Sequence, residues 1–259
     1  MSELLRYLFP FTYFWRSRLT GKKDFLFHFW YEWLICVLLL AYNADWDILL
    51  AVKQFLLGYF AFISIYEVGY LANDIYAVRN EENPRLRIKN FNPPNGTIAV
   101  WVIFRFLIFA GIAYYLDVLN NQIWWFFYAG LAIVYYLHNV LTNKQLKLAT
   151  FFQLAFFRFF APTFIFLKPE LWHLVLVPAI IDYILYRSLT YMDSKGLLNM
   201  PDRPLIKFKI NYYLLFSFII LFIAAYQQNY FPVVIHAYYL VFWLGLGAVT
   251  KNKSAVQDD

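Results

Sequence analysis

The sequence predicts an all-α fold: a polytopic membrane bundle of about eight transmembrane helices, with a polar cavity open to the cytoplasm. Three observations predict it. Hydrophobic residues make up 62% of the 259-residue chain and charged residues only 15%, too little charge to cover a soluble surface. Apolar windows of roughly 20 residues, the length that spans a bilayer core, recur along the chain. Turn-forming stretches separate these windows. The strands of about 10 residues with alternating polarity that mark a membrane barrel are not seen in the sequence.

Taken in order, residues 1–24 form a basic, aromatic segment suited to the membrane interface. Its opening "MSELLRYLFPFTYFWRSRL" mixes Glu, Arg and Pro with aromatics, unlike a cleavable leader. A single transmembrane domain follows over 25–249, and residues 250–259 form a cytoplasmic tail. Within the domain, eight spans are expected near 25–42, 48–72, 97–116, 123–141, 148–167, 171–192, 208–226 and 230–249. The breakers between them are "NADWD", "NPPNGT", "LNNQ", "TNKQ", "KPE", "NMPDRP" and "QQN". Trp124, Trp125 and Trp172 stand at span ends, where indole favours the interface. Cys36, the one cysteine, lies in an apolar run and forms no internal disulfide.

The formal net charge is +6. Its cations sit in short loops on alternate sides of the spans, so the charge reads as topology and the expected partner is the lipid bilayer, not nucleic acid. The loops after the second, fourth and sixth spans are basic, as are both ends of the chain, whereas the opposite side holds Lys168. Both termini are therefore expected in the cytoplasm, with the protein in the inner, cytoplasmic membrane.

Four charged residues, Glu67, Arg105, Arg158 and Asp182, fall inside spans. Each costs about 2.5–3.5 kcal/mol at a helix centre, so they are expected to face the bundle interior and pair. Glu67, Asp74 and Glu81 are seven residues apart and share a face if the second helix continues. One account is a structural Glu67–arginine pair. The other is a cytoplasm-facing cavity in which arginines take a phosphate. For Asp182 the expected role is a buried link to Arg187 or a nearby tyrosine.

The stretch "NDIYAVRNEENPRLRI" resembles the first acidic motif of the UbiA superfamily of intramembrane prenyltransferases, N-D-x-x-D-x-x-x-D at the end of the second helix. Asn73 and Asp74 match it; Ala77 and Glu81 stand where the second and third aspartates would be. "YRSLTYMDSKGLLNMPD", after the sixth span, occupies the place of the second motif. There Arg187 and Asp193 match, and Tyr191 replaces an aspartate. Tyr136, Arg158 with "RFFAP", and "NPRLR" look like the polyprenyl-phosphate phosphoribosyltransferase branch.

The resemblance implies a membrane transferase acting on an isoprenoid or polyprenyl lipid and a diphosphate-containing small substrate. The reaction would be phosphoribosyl transfer to a polyprenyl phosphate, or prenyl transfer to an aromatic or other small acceptor. It also implies Mg2+ held by Asp74, Glu81 and Asp193, with Asp74 and Asp193 catalytic. Asn73, Arg85, Arg87, Arg158, Arg187 and Lys195 would bind the substrate phosphates. The replacements at Ala77 and Tyr191 imply the alternative, a non-catalytic UbiA-like lipid-binding or scaffold subunit.

Overall fold

The computed structural model describes residues 3–80, 87–88 and 91–255. Among these residues the regular structure is helical, with no strand. We number the helices α1 (Thr12–Arg18), α2 (Lys22–Asn43), α3 (Ile48–Ile75), α4 (Asn95–Tyr115) and α5 (Gln122–Val140). They continue with α6 (Lys144–Phe160), α7 (Pro169–Ser194), α8 (Ile206–Tyr226) and α9 (Phe231–Ala255).

Six of these helices, α2, α3, α4, α7, α8 and the Phe231–Val249 part of α9, are long and apolar enough to cross a membrane. The chain is thus an integral membrane protein with a helical bundle, and among the described residues six candidate crossings stand where eight were expected. The segments 123–141 and 148–167 fold as α5 and α6 but fall short. Helix α6 has 17 residues and carries Lys144, Lys147 and Arg158; at 1.5 Å per residue it reaches about 26 Å, less than a bilayer core of about 30 Å. Helix α5 has 19 residues, but two Trp, three Tyr, His138 and Asn139 dilute its hydropathy.

The breaker residues start the helices because their side chains also cap them. Asp47 accepts from the Leu50 amide at 3.0 Å. Asn121 takes the Ile123 amide at 2.9 Å, and Asn143 takes those of Gln145 and Leu146 at 2.8 and 3.1 Å. Two helices widen into π-helical turns, α2 over Phe29–Leu34 and α7 over Ala179–Leu185, the second directly after Pro178. These turns carry Glu32 and Asp182, both buried, and π-turns recur at functional positions.

The chain divides into two compact units, Met1–Phe166 and Leu167–Asp259. In the first, α3 is the central rod, packed against α2, α4 and α5, while α6 pairs with α5. Glycine permits two close approaches: a Cβ at Gly58 would strike the backbone of Pro162, and one at Gly69 the ring of Tyr135. The N-terminal segment turns inward on this unit. Leu4 and Tyr13 join Leu71, Ile75 and Trp101 in a buried cluster, and Phe14 and Ser17 are buried as well. Of the aromatic rings in this segment, Tyr13 and Phe14 are buried, whereas Phe9 and Trp15 are exposed. In the second unit α8 and α9 form a hairpin, and α9 packs on α7.

Candidate functional site

The polar centre of the first unit is built on one face of α3. Glu67 and Asp74, seven residues apart, both point at the N-terminal segment. Helix α1 has no side-chain cap of its own at Phe11, and Glu67 supplies one: its Oε1 accepts the Phe14 amide at 2.6 Å. Its other oxygen pairs with Arg105 Nη2 at 2.6 Å, both side chains fully buried. Arg105 also donates to the Tyr7 carbonyl at 2.8 Å and lies over the Trp101 ring. The Glu67–arginine pair expected from sequence is present, and its cation is Arg105.

Asp74 is held more completely. Arg18 grips it as a fork, Nη1 to Oδ2 at 3.0 Å and Nη2 to Oδ1 at 2.9 Å. Tyr13 donates to Oδ2 at 2.8 Å and the Asn73 amide to Oδ1 at 3.3 Å. Burial, and then the charge of Asp74, push the Tyr13 phenol well up, so it stays protonated and donates. Burial works against the Arg18 cation, but its hydrogen bonds and attraction to Asp74 outweigh that and raise it. The Arg18 guanidinium lies 4.2 Å over the Tyr70 ring, and Arg158 donates to the Tyr70 hydroxyl at 2.6 Å.

Arg158 points into the bundle. Its Nε lies 2.8 Å from Glu32, and a second nitrogen lies 3.3 Å from His28 Nδ1. His28 in turn meets Glu32 at 2.8 Å. The described buried ions of the first unit therefore form a balanced set, with Arg18, Arg105 and Arg158 facing Glu32, Glu67 and Asp74.

An apolar cavity of about 490 Å³ lies on the other side of α3, lined by Gly69, Ala72, Ala77, Phe106, Leu131 and Tyr136 among others. Ala72 and Asp74 are two residues apart, a rotation of about 200° on a helix, so the cavity and the acidic face look in opposite directions.

In the second unit, Asp182 meets His236 Nδ1 at 2.7 Å. His236 Nε2 lies 3.0 Å from the Tyr213 carbonyl and 2.9 Å from Ser217 Oγ. A carbonyl can only accept, so Nε2 carries a proton. It is therefore no base for Ser217, and the Asp–His–Ser array is not a hydrolytic triad. Asp193 accepts from Arg203 Nε at 2.5 Å and from the Met200 amide at 3.1 Å. Arg187 is half-buried over the Tyr183 ring at 5.7 Å, and Lys195 is exposed.

The predicted site residues thus distribute as follows. Asn73, Asp74 and Arg158 come together in the first unit, bridged by Arg18 and Tyr70. Asp193, Arg187 and Lys195 belong to the second. Arg87 is exposed, and Glu81 and Arg85 lie outside the described residues. Helix α3 ends at Ile75, one residue past Asp74. Asp182 partners His236, where Arg187 or a tyrosine was expected.

Sequence reasoning missed Glu32, His28, Arg18 and His236. Glu32 lies inside the first expected span and is four residues from His28, the same signal that singled out Glu67. Arg18 was grouped with the loop cations.

Four hydrogen bonds fill the four acceptor positions of the Asp74 carboxylate. Among the described residues no three His, Cys, Asp or Glu side chains gather where they could hold a metal. The residues in place here therefore do not fit Mg2+, which needs open carboxylate oxygens. No family model matches the chain, and no curated protein or solved structure matches it.

Proposed function

We propose that the chain is a UbiA-like protein of the cytoplasmic membrane, termini inside, that binds an isoprenoid lipid without metal-dependent transfer. The observation that carries this reading is the charge balance of the described buried ions of the first unit, three arginines against three carboxylates. A diphosphate needs cations in excess of their counter-ions, and Mg2+ needs an open acid. A charge-balanced cluster supplies neither. The cavity beside α3 is within the size range of small-molecule sites and apolar enough for a hydrocarbon chain.

A second reading is the transferase itself, acting on a polyprenyl phosphate and phosphoribosyl diphosphate, or on a prenyl diphosphate and a small acceptor. It is favoured by Asn73 and Asp74 standing in the last turn of α3, where the resemblance puts the first motif. Asn73, Arg85, Arg87, Arg158, Arg187 and Lys195 would then take the phosphates. One experiment separates the two. Detergent-purified protein with Mg2+ is offered each substrate pair, and bound lipid is extracted and weighed. The lipid-binding reading expects co-purified isoprenoid and no transfer. Turnover that disappears in Asp74→Ala and Asp193→Ala would overturn it in favour of the transferase.

A further inference from the structure

The cavity beside α3 supports a step that deepens the lipid-binding reading above and rests on it. We infer that its occupant is an uncharged lipid alcohol, and that Asn139 accepts a hydrogen bond from the hydroxyl head.

The lining decides the charge. The cavity lies between α3, α4 and α5, and none of its described lining residues is charged. A lipid phosphate or ammonium lodged there would be a buried ion with no counter-ion beside it, the costliest way to bury a polar group. Arg18, Arg105 and Arg158 do not supply that counter-ion, since each already faces a carboxylate.

One polar side chain decides the kind of head. Asn139 lines the cavity from α5, and its Nδ2 donates to the Gly69 carbonyl at 3.1 Å. A carbonyl only accepts, so this contact fixes which way round the amide sits. Oδ1 is then the end left over. It is buried and has no hydrogen-bond partner among the described residues. A buried acceptor left unpaired is costly, and what it lacks is a donor. Ester, ether and quinone heads bring acceptors alone. A hydroxyl brings a donor without a charge.

The position suits a head group. Asn139 stands one turn from Tyr136 on the same face of α5. Tyr136 and Tyr76 line the cavity and are exposed, so the cavity reaches the surface at this end. The other end is apolar and enclosed, with Leu131 and Ile65 buried. Leu131 stands about 12 Å back along α5 from Asn139, at about 1.5 Å per residue. The head sits at Asn139 and the chain runs toward Leu131.

The test compares equilibrium binding of radiolabelled farnesol, farnesyl methyl ether and farnesyl phosphate to the full-length protein in detergent. Farnesol is expected to bind about tenfold tighter than the ether, the scale of one hydrogen bond to a buried acceptor. It is expected to exceed the phosphate by at least as much. Asn139→Leu should erase the advantage of farnesol over the ether and leave the ether near its wild-type affinity. Ala132→Trp, at an exposed lining position, fills the cavity and should weaken farnesol and ether alike. Equal wild-type binding of farnesol and ether, with both weakened by Ala132→Trp, would overturn the inference and leave the lipid-binding reading standing. Tightest binding of the phosphate would do the same, as would a farnesol advantage that survives in folded Asn139→Leu. If Asn139→Leu does not fold, the wild-type ratio of alcohol to ether still decides. No binding of any probe, or binding that Ala132→Trp leaves unchanged, would overturn the lipid-binding reading itself and the inference with it.

Discussion

The two units bury acids in different company. In the first, Glu32, Glu67 and Asp74 each face an arginine. In the second, Asp182 faces His236. An arginine stays charged at any accessible pH, so it favours the ionised form of the acid beside it. An aspartate and a histidine share one proton and can hold it on either partner, which leaves a formally neutral pair available. Each of these acids in the first unit is therefore matched by a fixed cation, whereas the buried Asp182 of the second is not; the second unit's arginine pair, Arg203–Asp193, is accessible to solvent. Arginine in the membrane interior is the costlier choice.

The comparison is broken hardest by Glu67→Ala. It leaves Arg105 fully buried without its counter-ion, and the loss should be about 3–5 kcal/mol in denaturant unfolding in detergent. A loss near that of a surface substitution would mean the pair is not desolvated. Arg158→Ala should cost somewhat less, about 3 kcal/mol, because His28 remains as a hydrogen-bond partner for Glu32. The same unfolding measurement checks it.

Asp182→Asn sharpens the contrast, since an amide can still donate to the His236 ring. The expected loss is about 1–2 kcal/mol, the scale of one altered hydrogen bond, and a loss as large as that of Glu67→Ala would show an obligate ion pair there. The smallest effect belongs to Arg203→Ala. Its partner Asp193 is accessible to solvent, so thermal melting should hardly move.

Much of this arrangement can be read in advance from particular residues. Helix starts are readable because Asp47, Asn121 and Asn143 both break the preceding helix and cap the next one. The Glu67–Arg105 pair is readable because ions inside apolar spans must find each other. The partner of Asp74 is not readable. Arg18 is 56 residues away and sits in a segment whose cations have the composition of any cytoplasmic loop, so only its folding inward reveals the contact. Glu32 and His236 escape for a related reason, since their polarity is diluted by aromatic neighbours and their partners come from π-turns or another helix. Helices α5 and α6 fall below the length and hydropathy of the six candidate spans because tyrosine, tryptophan and lysine stems read as apolar length but do not supply apolar transfer energy.

The central claim is that Asp74 is the counter-ion of Arg18 and not a metal ligand. The most direct measurement is a double-mutant cycle with Arg18→Gln and Asp74→Asn, read as unfolding free energy with and without Mg2+. The account predicts a coupling of about 2 kcal/mol or more, within the range for contacting residues, that Mg2+ does not change. A coupling near zero, with Mg2+ stabilising wild type but not Asp74→Asn, would contradict it.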